Sequence, residues 1–155
     1  MHGAAVLMVA GAVAFGPYSP PLGALFAVNR ADGVLQWNFT TGHGGVSTPA
    51  LNAKDSALYF QSADTHLYAV STDDGALLWK VCTGGGASPA LSLDSKTAYV
   101  GSINGTVWAV NTADGTLLWT FQAASFIYKT PSVITVHSML NVRLHRVLLY
   151  RVLNN

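Results

Sequence analysis

The chain alternates apolar and polar positions in short runs, and Gly, Asp-Gly or other turn residues such as Asn, Asp and Pro break the pattern at short intervals. Such runs are too short for helices of ten or more residues, and their period of two predicts strands. The stretch from Pro89 to Gln122 gives the pattern in full. Pro89-Ala90-Leu91-Ser92 predicts a short strand and Asp94-Ser95-Lys96 a turn. Thr97 to Ser102 predicts a second strand, rich in β-formers. Asn104-Gly105 predicts a type I′ hairpin, a two-residue turn whose central residues both need positive φ. Thr106 to Val110 predicts a third strand, Ala113-Asp114-Gly115 another turn, and Thr116 to Phe121 a fourth strand.

The same order recurs along the chain. Ala27-Val28-Asn29-Arg30-Ala31-Asp32-Gly33-Val34-Leu35-Gln36-Trp37 is matched by Ala69 to Trp79 and by Ala109 to Trp119, so the motif tryptophans return at a nearly constant interval. A small residue followed by Pro marks Thr48-Pro49, Ser88-Pro89 and Thr130-Pro131. The separation from Pro49 to Trp79 equals that from Pro89 to Trp119. The Pro-to-Trp unit is therefore of fixed length, and the connection between units absorbs the variation. Four antiparallel strands per about 40 residues is the period of a β-propeller blade. The expected fold class is all-β: a partial propeller of four-stranded antiparallel blades, about three of them, in an incomplete ring. The units are expected near 5–40, 47–82 and 87–122, with a fourth begun at 130. Residues 1–136 would form the propeller part, and 137–155 a basic, apolar tail outside the repeat.

Composition narrows the class of function without naming one. Half of the 155 residues are hydrophobic and only 10% are charged, which excludes a disordered chain. All seven acids are Asp, a residue that favours caps and turns over helix interiors. The net charge of +1 provides no field for nucleic acid or an anionic membrane. Cys82 is the only cysteine, so no internal disulfide or cysteine-rich zinc site can form. No apolar run reaches the length of a membrane span. Ala4 to Phe15 reads as buried strand, or as a short signal segment in which Ala12-Val13-Ala14 resembles a cleavage site. That second reading is the one hint of an extracytoplasmic location, and the compartment is otherwise undetermined.

The pattern Ala-x-(Asn/Ser)-x-x-Asp-Gly-x-x-x-Trp resembles the tryptophan-docking motif of the pyrroloquinoline-quinone (PQQ) repeat propellers. That superfamily holds quinoprotein dehydrogenases and non-enzymatic relatives such as the outer-membrane assembly lipoprotein propeller. The resemblance spans roughly residues 13 to 133. It implies that Trp37, Trp79 and Trp119 pack between neighbouring blades, docked on the small Ala27, Ala69 and Ala109 of another copy. Gly33, Gly75 and Gly115 suit turn positions with φ above zero. Asp stands before each of these glycines where the family commonly has Thr, and both residues can bond the backbone of a turn.

The quinoprotein dehydrogenases set a Glu, an Asn and an Asp around calcium, and the alcohol enzymes add a vicinal cysteine pair. This chain has no Glu and one Cys, so neither PQQ nor calcium is expected to bind, and no catalytic constellation stands out. The glycine-rich Thr41-Gly42-His43-Gly44-Gly45 and Thr83-Gly84-Gly85-Gly86 read as crossings between blades, or as a cradle for an anion. Strand alternation puts these crossings on the face that also carries the second-to-third turns. His43, Asp64 and His66 are therefore the candidate binding residues of one loop face. Asn38-Phe39-Thr40 and Asn104-Gly105-Thr106 are glycosylation sequons, or plain strand and turn chemistry. Cys82 reads as a small apolar filler at a strand end.

The leading expectation is a non-catalytic binding or scaffold module with a ligand or partner on the loop face. The alternative is a fragment of an enzyme, either a PQQ-dependent dehydrogenase or a propeller appended to a larger catalytic chain. In the tail, Leu140, Leu144 and Val147 follow helical spacing, while the plainer reading is a fourth blade interrupted after Pro131-Ser132-Val133. Three units cannot close a ring, because closed propellers have about four to eight. The expected partners are therefore a protein, or further copies of the chain that complete the ring; the alternative is an aggregation-prone fragment.

Overall fold

The computed structural model describes residues 6–13, 22–43, 45–54, 56–123, 127, 130–137 and 143–148. Every element in it is a strand. Unit one is the sheet β1 (Val6–Val13), β2 (Leu22–Asn29) and β3 (Leu35–Thr40), in that order. Unit two is β4 (Ala50–Leu51), β5 (Ala57–Gln61), β6 (His66–Ser71) and β7 (Leu77–Cys82). Unit three repeats it with β8 (Ala90–Leu91), β9 (Thr97–Gly101), β10 (Thr106–Asn111) and β11 (Leu117–Gln122). A two-stranded sheet of β12 (Ser132–His137) and β13 (Arg143–Leu148) follows. All pairings are antiparallel between strands adjacent in the chain.

The core lies between units, because the sheet of unit two has two apolar faces. On unit two, Leu58, Phe60, Tyr68 and Val70 face unit one and join Leu25, Ala27 and Trp37. The alternate positions Ala57, Tyr59, Leu67 and Ala69 face unit three and join Ala98, Val100 and Val110. That is why β5 is buried at every position and reads as a continuous apolar run.

The Asp-Gly turns are built alike three times. Asn29 Oδ1 accepts from Ala31 N, Ser71 Oγ from Asp73 N, and Asn111 Oδ1 from Ala113 N, at 2.8, 3.2 and 2.9 Å. Further along each turn the Asp carboxylate takes over: Asp32, Asp74 and Asp114 accept from Val34, Ala76 and Thr116 N. The glycines that follow the three aspartates have φ of 73°, 72° and 75°, a region closed to most side chains. Each turn thus uses the short polar side chains that the sequence repeats.

Three expectations change. The Asn104-Gly105 turn is not type I′, since Gly105 has φ 84° and Asn104 is not in the positive region. Instead Gly105 N donates to Ser102 O and Ser102 N to Thr106 O, with the Asn104 side chain accepting from Ser102 Oγ and Thr106 N. This is a three-residue hairpin ending in a left-handed residue. Thr65 holds the same place in unit two at φ 76°. The fourth unit does not stop at Val133: β12 runs to His137 and pairs in register with Arg143–Leu148, so the described part of the tail is strand rather than helix. A strand-rich partner (Val133, Ile134, Thr135 and Val136) overrides the helical spacing of Leu144 and Val147. Leu140 and residues 149–155 lie outside the described residues. Cys82 is exposed at the end of β7, not packed as a filler. Near the N-terminus Val6–Val13 is strand, paired with β2; Ala14, which ends the cleavage-like triplet, lies outside the described residues.

Candidate functional site

The crossings between units and the second-to-third turns meet on one face. Ala63 N donates to Gly45 O at 2.9 Å, and at the equivalent place in the next unit Ile103 N donates to Gly85 O at 3.1 Å. Thr83 N and Gly84 N both donate to Thr65 O at 3.0 Å. The close approach needs glycine: Gly84, Gly85 and Gly86 have φ of 85°, 66° and 137°, and a Cβ on Gly86 would lie 2.9 Å from Gly101 O. The glycine-rich segments are thus inter-unit crossings packed on the neighbouring turn.

Asp64 is the hub of this face. Its Oδ2 accepts from Tyr68 Oη at 2.6 Å and from Gly42 N at 3.0 Å, and its Oδ1 accepts from His66 N at 3.2 Å. Burial pushes its carboxyl up, but the bonds from Tyr68, His66, Gly42 and Ser62 together outweigh burial and hold it below the ordinary value. The Tyr68 hydroxyl is pushed up, first by burial and then by that carboxylate. His66 Nδ1 lies 2.8 Å from Asp64 O, and 3.6 Å from Asp64 Oδ1. His43 is exposed, and what it brings to the site is its carbonyl, which accepts from Gly23 N, Thr41 Oγ1 and Ser62 Oγ. The structure thus joins Asp64 and His66 in one turn and ties that turn to the backbone beside His43. Among the described residues no three His, Cys, Asp or Glu side chains gather, and both Asp64 oxygens already serve protein donors.

Asp64 gives the chain an acid limit. Its folded-state pKa is depressed, so its contribution is complete above the unfolded value of about 4 and is lost as pH falls toward the folded value. Asp64→Asn should be less stable than wild type at pH 7 and should lose less on going to pH 3. Urea titrations at the two pH values test this, and equal losses in both proteins would refute it.

Beside this hub lies a cleft of about 420 Å³, walled by Val46, Ser47, Gln61, Gly84, Gly85 and Ile103 among others. Ile103 is half exposed at its rim. Gln61 is 2% exposed; its Nε2 donates to Thr83 Oγ1 at 2.8 Å, and its Oε1 has no partner. Ser62 Oγ bonds Thr41 Oγ1 at 2.9 Å, tying unit two to unit one. Motif spacing does not single out Gln61, Ser62, Tyr68 or Ile103, although Ser62 and Ser102 hold equivalent places just before the turn in successive copies.

Trp37 and Trp79 sit at the joints, on a different partner from the one the resemblance implies. Ala27, Ala69 and Ala109 lie opposite Trp37, Trp79 and Trp119 within the same sheet. The indoles of Trp37 and Trp79 instead reach the next unit's turn: Nε1 donates at 2.9 Å to Thr72 O and Thr112 O respectively. A Cβ on Gly75 would lie 2.6 Å from Trp37 Cε3, and one on Gly115 2.8 Å from Trp79 Cε3. The ring therefore docks on the turn glycine of the following copy. Tyr59 backs Trp79 at 5.7 Å between centroids and also donates to Thr112 O.

A family model described as outer membrane protein assembly factor BamB matches residues 22–146. Among solved structures, the crystal structure of BamB from Moraxella catarrhalis is similar, with a TM-score of 0.57 at 20% identity. The alignment covers 75% of this chain and 41% of that one, so the chain spans less than half the length of that relative. No curated protein sequence matches the chain. The likeness in structure carries the fold, a partial β-propeller, and the family match agrees with the three repeated turns; the chain belongs to the family of outer membrane protein assembly factor BamB.

Proposed function

We propose that the chain is a non-catalytic binding module whose loop face takes a segment of a partner protein. The observation that carries this is the cleft of about 420 Å³ between units two and three, walled by glycine backbone with Val46 and Ile103 at hand. A glycine-lined wall with Val46 and Ile103 beside it leaves room for an extended polypeptide with apolar side chains. The family's description as an assembly factor supports a protein partner. Neither PQQ nor calcium is part of this reading.

The test is fluorescence anisotropy with labelled extended peptides of alternating apolar and polar residues. Saturable binding is expected, weakened about tenfold or more by Ile103→Arg, a rim substitution that leaves the melting temperature unchanged. Binding that Ile103→Arg leaves intact would move the partner off this face. Saturable uptake of PQQ with calcium, or reduction of an artificial electron acceptor, would overturn the reading in favour of an enzyme fragment.

A further inference from the structure

We propose that copies of this chain join head to tail, with Trp119 of one copy seated on the Asn29–Gly33 turn of the next. The joint already exists twice inside the chain, as Trp37 on Gly75 with Thr72 O and as Trp79 on Gly115 with Thr112 O. Both halves of a third such joint are present, and neither is mated among the described residues. Gly33 has the same backbone as its two counterparts, φ 73°, yet nothing lies within 4 Å of a Cβ built on it. Its turn carries the same bonds, from Ala31 N to Asn29 Oδ1 and from Val34 N to Asp32 Oδ1. At the other end Trp119 is 42% exposed, against 9% for Trp37.

The unmated ring is already held as the mated one is. Tyr99 and Trp119 lie 5.8 Å apart at 41°, and Tyr59 and Trp79 lie 5.7 Å apart at 38°. Arg30 stands where Thr72 and Thr112 stand, and the acceptor needed there is its main-chain carbonyl, which the change of side chain leaves in place. Phe121, exposed beside Trp119 where its counterparts Phe39 and Val81 are half-buried, extends the patch. A contiguous apolar patch on a sheet face that is covered elsewhere in the same chain calls for a cover of the same kind. β12 lies against the inner strand β8, and Trp119 on the outer strand stays open. The two patches differ, so the interface is heterologous, and it closes a ring or extends a filament. It involves the two ends of the stack and is independent of the loop face.

Complementation tests it, read by light scattering after size exclusion over a concentration series. The wild-type chain should associate. Trp119→Ala, which keeps the seat, and Gly33→Val, which keeps the indole, should each associate at least about thirtyfold more weakly, the scale of losing an aromatic anchor. Mixed together they should form a capped dimer, because one intact joint remains between them. Arg30→Ala, which keeps the carbonyl, should associate as wild type does. A sharp 16.3 kDa wild-type monomer at every concentration would overturn the proposal and leave the Trp119 face to a further unit of a longer chain. Association untouched by Trp119→Ala, or a mixture that stays monomeric, would overturn it too. Should Gly33→Val fail to fold, Gly33→Ala paired with Trp119→Ala gives the same readout.

Discussion

Trp79→Ala is expected to cost about 3–4 kcal/mol of stability, the range for truncating a large aromatic in a packed site. Three losses coincide there. The ring leaves a gap between units two and three, Tyr59 loses its neighbour, and Thr112 O loses one of its two donors. Trp119→Ala should cost less than about 1 kcal/mol in the dissociated chain, because that ring is exposed. Urea denaturation of the two variants at low protein concentration is the measurement. A melt that Trp108→Ala lowers and Trp79→Ala does not would place the joint elsewhere.

The turn glycines give the second large effect, and they separate strain from packing. Gly33→Ala, Gly75→Ala and Gly115→Ala all put a side chain at φ near 73°, which costs about 1–2 kcal/mol by itself. At Gly33 nothing else is met. At Gly75 and Gly115 the methyl would be 2.6 and 2.8 Å from an indole, and forced repacking adds about 1–3 kcal/mol. The two inner variants should therefore fall below the outer one by that increment in the dissociated chain. Equal losses at all three positions would mean that the indoles do not rest on these glycines.

The repeat was legible because it is local. Asn or Ser, Asp and Gly stand at fixed offsets within one turn, and each bond they make stays inside that turn. The seat of the tryptophan was not legible, because Ala69 and Gly75 recur at the same interval and spacing cannot tell them apart. The seat appears only in the contacts between sheets, where the Trp37 and Trp79 indoles meet Gly75 and Gly115 while Ala69 and Ala109 lie opposite tryptophans of their own sheets. The loop face was legible as a face, from strand alternation. Its cleft was not, since separate loops build it and Gln61 reaches it from a strand end. His43 showed as a candidate by its type, yet it is the carbonyl that the structure uses.

The paired clusters make unit two the only described sheet with a full apolar layer on both sides, while units one and three each share one layer with it. Stability in such a stack is a sum of unit terms and nearest-neighbour terms, like spins along a line. Opening unit two breaks both of these couplings, whereas opening unit one breaks one of the two. Among the described units, unit two is therefore the last to open, and the amide protons of β5 and β6 exchange most slowly. Trp37 and Trp79 each belong to one of those couplings, with the apolar cluster around it, so a change at either ring shifts how closely its two units melt together.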